Sequence, residues 1–327
     1  MYISIFIPTG SRAQSLQNTL RSLTSQTYRN FEVIVVDYKS MDGTHEVLKK
    51  FSRKLRIKLL HQTQKGLAKA ANMALKIAKG EIFIRTDDDV IMDKGWLQAI
   101  VMRFKLDRTV GGVTGPTIIP ASHKQYRDLF AYQSKFKKSS LLWRIIGVIY
   151  FQIILENDPY RVSHWFKSGA FSLGSNFPKA KKLKACEVDN LEACNLSVRT
   201  KILRSIGGFS ERYGTIGDYH EADTAMRIKN SGYKLIFDPK ASLQHLPSRD
   251  GFYNDRPGSY DRTRNFMIFY LTFIKPNTLD KFLRFSLYVL FMNAYYLYTV
   301  ISLRQWKQLG AVPGTLAGVL EYTRNKN

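Results

Sequence analysis

The feature that most restricts this chain is a regular alternation of short apolar runs with helical patterns from residue 2 to residue 86. "YISIFI" is a β-rich run that ends at Pro8, and "RAQSLQNTLRSLTSQ" sets Leu16, Leu20 and Leu23 at helical spacing. "EVIVV" is a second strand running into Asp37, followed by a helix in "GTHEVLKKF" and a third strand in "IKLL". "KGLAKAANMALKIAKG" is an Ala-rich helix closed by Gly80, and "EIFIRT" is the next strand. Strands that are apolar at nearly every position are buried on both faces. The series therefore predicts an α/β fold, a mostly parallel sheet flanked by helices. Ligands bind such sheets at the carboxyl ends of the strands. Thr9, Asp37 and the run Asp87-Asp88-Asp89 all fall at such ends.

The acidic run is unexpected in a chain with 50 Lys and Arg against 26 Asp and Glu. Three adjacent carboxylates repel one another, and they persist together most easily when a divalent cation and hydroxyl donors share them. A loop with several Asp is often only a turn or a helix cap. Here the run ends a buried strand, and a second acid, Asp37, ends an earlier strand of the same series.

The basic excess narrows the choice of partner. Between residues 121 and 185 there are twelve Lys or Arg and three Asp or Glu, interleaved with "LLWRIIGVIYFQIIL". Basic residues among apolar and aromatic ones suit an anionic membrane surface better than a nucleic-acid groove. The residues in question are Lys135, Lys137, Lys138, Arg144, Lys181 and Lys182 with Trp143, Ile145, Ile146 and Tyr150. A merely solvated basic surface is the plain alternative. Cys186 and Cys194 make neither a disulfide framework nor a zinc site. The start "MYISIFIPTG" has no charged leader and reaches Pro8 quickly, so the expected location is the cytoplasmic side of the cell membrane.

Several segments, in order, resemble the inverting family 2 glycosyltransferases of the GT-A fold, over about residues 1 to 250. "FIPTGSRAQSLQNTLRSLTSQTYRNFEVIVVDYKSMDGT" is similar to that family's opening, and "KGLAKAANMALKIAKGEIFIRTDDDV" to its Gly-helix-Asn segment leading into the DxD motif. "EACNLSVRTKILRSIGGFSERYG" and "HEADTAMRIKNSGYKLIFDPKASLQH" resemble its acceptor-side segments. The resemblance implies a nucleoside diphosphate sugar as donor, held by Pro8, Thr9, Arg12, Asp37, Gly66, Asn72, Asp87 and Asp88. It implies Mn²⁺ or Mg²⁺ on Asp89, because carboxylate oxygens suit a hard cation that offsets the diphosphate charge. Tyr38 and Lys39 depart from the family pattern, which commonly has an acid or Asn and then a Gly there.

Inversion requires a base that deprotonates the attacking hydroxyl. Glu221 and Asp223 begin the helical pattern "EADTAMRIKNSG", where helix amides favour carboxylates. Counting back from Arg227 and Gly232-Tyr233, the resemblance puts Glu221 on the family's base and Asp223 on the nearby acid; the spacing alone leaves either as the base. His245, ending the strand "ASLQH", is a second candidate metal ligand, since neutral imidazole is a common one. Asn195, read as following a strand through Cys194, is the acceptor-side candidate, near the Gly207-Gly208-Phe209 turn.

"FSLYVLFMNAYYLYTVISL", residues 285 to 303, carries no charge and is bracketed by Lys281, Arg284, Arg304 and Lys307. Its length suits a bilayer, but Asn293 and several Tyr favour a helix lying in the membrane plane. The expected organisation is a glycosyltransferase domain over 1–250, with a nucleotide-sugar half at 1–116, a basic and apolar insertion at 117–190 and an acceptor-side half at 191–250. A membrane-associating helical region would follow at 251–327. The expected acceptor is a hydroxyl of a glycan or lipid-linked molecule at an anionic membrane surface, with no nucleic-acid partner. Two other readings are a sugar-1-phosphate nucleotidyltransferase, for which "PTGSRAQS" is a poor signature, and a non-catalytic membrane adaptor, which the intact Asp87, Asp89 and Glu221 disfavour.

Overall fold

Parallel pairing begins where the sequence is most apolar. In the computed structural model, which describes residues 1–123, 140–172, 178–215, 218–247 and 258–324, β1 (Ile3–Thr9) lies between β2 (Phe31–Asp37) and β4 (Ile82–Arg85), parallel to both. β3 (Ile57–His61) extends the sheet beyond β2. The links are α1 (Ala13–Thr24), α2 (Thr44–Phe51) and α3 (Leu67–Ile77), each at a segment where the sequence predicts a helix. Ile3, Ile5, Ile7, Val33, Val35, Ile82 and Ile84 are fully buried in one core with Leu16, Leu20 and Leu23 of α1. Each such side chain contributes about 1.5–3 kcal/mol, so the helix spacing and the strand pattern select the same packing.

The chain leaves β1 for β2 and β3 on one side and returns to β4 on the other, giving the strand order β3-β2-β1-β4. A crevice opens at such a reversal. Beyond β4 the sheet continues with β9 (Leu196–Arg199), β6 (Val110–Thr114), β10 (Lys234–Phe237) and β8 (Cys186–Glu187). Of these, β9 and β8 run against the rest. Ahead of β6 runs α4 (Trp96–Leu106). A smaller sheet joins β5 (Val90–Met92), β11 (Leu243–His245) and β7 (Thr117–Ile118). Its register sets His245 opposite Val90, one residue after the acidic run. α6 (Thr200–Ser205) and α7 (His220–Asn230) complete this part.

The sequence places Asn195 after a strand through Cys194; in the structure the strand begins after it. Ala193–Asn195 is a short 3₁₀ turn leading into β9. The turn is fixed because Thr86 Oγ1 donates to the Cys194 carbonyl at 2.8 Å, and the Asn195 side chain is used on both sides. Trp96 Nε1 donates to its Oδ1 at 2.9 Å and its Nδ2 donates to the Ala241 carbonyl at 2.8 Å.

Contacts divide the chain into two units, Met1–Arg127 with Ser175–Asp255, and Asp128–Gly174 with Arg256–Asn327. The boundaries differ from the expected ones, because the insertion read at 117–190 is shared between the units. In the second unit, α5 (Leu141–Val148) continues as a π-helical turn whose Phe151 and Ile154 form a small core with Phe166. Leu287, Tyr288 and Phe291 of the long helix α9 (Leu279–Leu303), numbered after α8 (Ser259–Phe269), pack on that core. α10 (Ala311–Arg324) presses on α8 through glycines four apart. A Cβ at Gly314 would lie 2.2 Å from the Tyr260 carbonyl oxygen, and one at Gly318 2.5 Å from that of Arg264.

The smaller sheet depends on a similar close approach. A Cβ at Gly115, between β6 and β7, would lie 2.0 Å from the Ala241 carbonyl oxygen. Gly115→Ala is expected to force the β6–β7 turn away from the residues leading into β11. The cost should be about 1–3 kcal/mol or more, the usual range for overpacking. Thermal unfolding measures it, and an unchanged midpoint would show that the turn opens freely.

Candidate active site

Asp87, Asp88 and Asp89 follow β4 at the reversal in strand order, beside the end of β1. Thr9 Oγ1 donates to Asp88 Oδ2 at 2.7 Å. Arg12, just ahead of α1, donates through one guanidinium nitrogen to Asp88 Oδ1 at 2.7 Å and through the other to Asp89 Oδ2 at 2.8 Å. His245 Nε2 lies 3.2 Å from Asp89 Oδ1, and the Leu246 amide donates to the Asp89 carbonyl at 2.8 Å. Burial pushes the Asp88 carboxyl up to about 7, with Arg12 opposing. Burial acts the same way on Asp89, but the His245 hydrogen bond and the charges of His245 and Arg12 outweigh it and hold Asp89 at about 2.

Asp88 is therefore turned into the protein, tying β1 and α1 to β4. Asp87, Asp89 and His245 each offer one ligand atom, and these atoms all lie within 4.8 Å of one another. Two carboxylates and one imidazole, one of the acids held ionised well below neutral pH, fit a divalent cation. The parallel register sets Pro8 beside Val36 and Thr9 beside Asp37. Asp37 Oδ1 accepts from Ser40 Oγ at 2.5 Å, while Oδ2 faces His45 Nε2 at 3.1 Å.

The first turn of α7 separates its two acids. Asp223 is buried with both oxygens engaged: Tyr213 Oη donates to Oδ2 at 3.0 Å and Arg227 Nε to Oδ1 at 2.5 Å. Arg227 in turn donates to the carbonyls of Ile206 at 2.5 Å and Gly208 at 2.8 Å, so this pair clamps the glycine turn. Glu221 keeps 22% of its side chain exposed. Burial nevertheless pushes its carboxyl up to about 7, with the charge of Arg85 opposing.

Arg85 and His220 are the functional neighbours that sequence reasoning missed. Arg85 ends a strand that is buried throughout and keeps only 2% of its side chain exposed. Its guanidinium nitrogens lie 2.5 Å from His220 Nε2 and 3.7 Å from Asp87 Oδ1. Guanidinium only donates, so Nε2 of His220 must accept, and the imidazole is neutral with its proton on Nδ1. That nitrogen lies 3.4 Å from Glu221 Oε2. A chain of side chains thus joins Asp87 to Glu221. The available signal was a charged residue inside an otherwise apolar buried run, which demands a polar partner.

The remaining sequence-derived candidates serve the framework. Asn72 donates to the Phe209 carbonyl and accepts from the Phe209 amide, both at 2.9 Å, gripping the turn that Arg227 also holds. Gly208 in that turn has φ +74°, and a Cβ there would meet Asn72 Oδ1 at 2.6 Å. Gly66 caps α3, and its carbonyl accepts from Gln62 Nε2 at 2.8 Å. Asn195 is buried between Trp96 and Ala241 as described. Arg144, Lys181 and Lys182 are exposed, whereas Lys135, Lys137 and Lys138 lie outside the described residues.

Residues 4–166 match the family model described as glycosyl transferase family 2. The glycosyltransferase GlyG of Streptococcus pneumoniae is 33% identical over 100 residues, covering 30% of this chain and 33% of the relative. An Escherichia coli UDP-Glc:alpha-D-GlcNAc-diphosphoundecaprenol beta-1,3-glucosyltransferase, WfaP, is 37% identical over 87 residues, 27% of this chain and 35% of the relative. The match thus spans about a third of the length of these curated relatives. Among solved structures, the mannosyltransferase PcManGT from Pyrobaculum calidifontis, in complex with GDP-Man and Mn²⁺, superposes with a TM-score of 0.54 at 18% identity, over 99% of this chain and 88% of that one. That likeness supports the fold, a GT-A type sheet flanked by helices.

The Arg85 chain makes a prediction independent of turnover. In Arg85→Met the charge opposing protonation of Glu221 is gone, so the Glu221 carboxyl should titrate at higher pH than in the unmodified protein. Carboxyl-labelled NMR reads this directly, and ¹⁵N shifts should show the His220 proton on Nδ1 in the unmodified protein. An unchanged Glu221 titration, or a His220 proton on Nε2, would remove Arg85 from this role.

Proposed function

We propose, on the premise that the chain belongs to glycosyl transferase family 2, that it is a metal-dependent inverting glycosyltransferase moving a sugar from a nucleoside diphosphate sugar to a hydroxyl of a glycan or lipid-linked acceptor. The observation that carries the reading is the cluster of Asp87, Asp89 and His245 at the sheet's reversal, linked by Arg85 and His220 to a partly exposed Glu221. Thr9 and Asp37 hold the nucleoside, with Asp87 toward the ribose. Asp89, His245 and Asp87 hold Mn²⁺ or Mg²⁺, which when bound offsets the charge gathering on the leaving diphosphate. PcManGT, which shares the fold, was solved with GDP-Man and Mn²⁺, in keeping with a nucleotide-sugar donor and a divalent cation.

Glu221 takes the proton from the attacking hydroxyl. Its carboxyl, pushed up to about 7, suits this work, because a base is most effective with a pKa near the working pH. Asp223 serves as the anchor of Arg227, since both its oxygens are engaged. A base must be deprotonated, so transfer should be retained above pH 7 and fall as pH drops through about 7.

A panel of nucleotide sugars with Mn²⁺ tests this reading. Turnover should require the metal, Asp89→Asn should lose both turnover and metal-dependent nucleotide binding, and Glu221→Gln should bind donor but transfer at least about 10²-fold more slowly. Full activity in Glu221→Gln with a dead Asp223→Asn would exchange the two roles. No transfer from any donor would leave the adaptor reading standing.

We further propose that the acceptor is met at the cytoplasmic face of an anionic membrane. Leu141, Leu142 and Ile145 of α5 are exposed together with Phe282, Leu290 and Ile301 of α9. α9 has 25 residues and is long and apolar enough to cross a membrane. WfaP, named for transfer onto a diphosphoundecaprenol-linked sugar, supports a lipid-linked acceptor. Basic side chains near such a surface contribute about 1 kcal/mol each, and buried apolar ones add a salt-resistant part. In vesicle sedimentation, salt should weaken binding to anionic vesicles, and deleting residues 279–327 should remove most of what survives high salt. A full-length protein that ignores anionic vesicles at low salt would exclude this acceptor setting.

A further inference from the structure

Asp37, His45 and His61 come together from the end of β2, the first turn of α2 and the end of β3, because β2 and β3 are parallel and their register pairs Asp37 with His61. One ligand atom from each lies within 4.8 Å of the others. His45 Nε2 is 3.1 Å and His61 Nδ1 3.8 Å from the same oxygen, Asp37 Oδ2. Ligands about 2.0–2.1 Å from a tetrahedral ion stand about 3.3 Å apart, so these separations need only small rotations to close on one. The two Asp37 oxygens are divided in use. Oδ1 accepts from Ser40 Oγ at 2.5 Å, which fixes the carboxylate, while Oδ2 accepts from the Ser40 amide at 3.5 Å and faces the imidazoles.

The environment differs from that of the acid cluster. Asp37 is 2% exposed, while His45 and His61 are 50% and 64% exposed, so an ion in solution reaches two accessible imidazoles against one buried carboxylate. The two rings meet edge to face with centroids 5.6 Å apart. At 3.8 Å, His61 is too far from Asp37 for a direct hydrogen bond.

We propose that Asp37, His45 and His61 form a second cation site, selective for an imidazole-preferring divalent metal such as Zn²⁺, with Ser40 orienting the carboxylate and a fourth position open. Two imidazoles and one carboxylate favour Zn²⁺ over Mg²⁺, which takes oxygen ligands and keeps its waters. Because Asp37 is also assigned to the nucleoside, zinc there competes with donor binding; this consequence rests on the glycosyltransferase reading, and the metal site itself does not.

The test is a Zn²⁺ titration by calorimetry, with Co²⁺ absorption as a second probe, on the full chain and, as a second background that removes a ligand of the other cluster, on the same chain carrying Asp89→Asn. One zinc should bind with His45 intact, His45→Ala or His61→Ala should abolish it, and Ser40→Ala should weaken it about tenfold or more, as for other groups that orient a metal ligand. Zinc uptake by the unmodified protein that is indifferent to His45→Ala and His61→Ala overturns the site. If zinc binds in a His45-dependent manner yet changes UDP affinity equally in the unmodified and His45→Ala proteins, the site stands and Asp37 leaves the nucleoside subsite.

Discussion

Everything at the mouth of the sheet depends on how the protein tolerates two buried carboxylates side by side, and the Arg12 guanidinium is the answer. Its fork reaches Asp88 and Asp89 with separate nitrogens, at 2.7 and 2.8 Å. Breaking a buried pair leaves an uncompensated charge and typically costs about 3–5 kcal/mol, so the start of α1 is held to the end of β4. Thr9 adds the end of β1 and His245 adds β11. The end of β1, the start of α1 and the end of β11 are thereby gathered on one acidic run, and the sheets beneath bring them within reach.

Much of this was legible in the sequence because it rests on local periodicity. The strands at Ile3–Thr9, Phe31–Asp37 and Ile57–His61 and the helices between them follow from apolar runs and 3.6-residue spacing, and strand ends then place Thr9, Asp37 and the Asp run on one edge. His245 was legible as the end of a strand, but its meeting with Asp89 was not, since that depends on the antiparallel register of β5 and β11. Asn195 was misplaced relative to its strand for a similar reason. Its turn is set by Thr86, Trp96 and Ala241, partners whose positions no local pattern encodes.

The glycines at 310, 314 and 318 show a different gap. Their spacing of four is plain in the sequence, yet its meaning appears only when α8 is found against that face with the Tyr260 and Arg264 carbonyls in contact range. Helices that meet through glycine gain backbone contact rather than burial of large side chains. The large apolar side chains of α10, such as Leu316 and Leu320, are accordingly left exposed. On α10 itself, apolar side chains thus face outward while glycines face α8.

Glu221 and Asp223, two residues apart on one helix, show how partners rather than sequence position decide what an acid does. Asp223 sits between a phenol and a guanidinium, each donating to it, and such a carboxylate is an anchor. Glu221 faces a neutral imidazole at 3.4 Å, with the nearest full positive charge, Arg85, one side chain further away. Burial therefore wins at Glu221, and its carboxyl rises to about 7. Had Arg85 reached Glu221 directly, the pair would have held the carboxylate ionised and made it a poor proton acceptor. Interposing His220 lets Arg85 orient the acid through a fixed tautomer while leaving its basicity near neutral, a division of labour that requires the buried arginine at the end of β4.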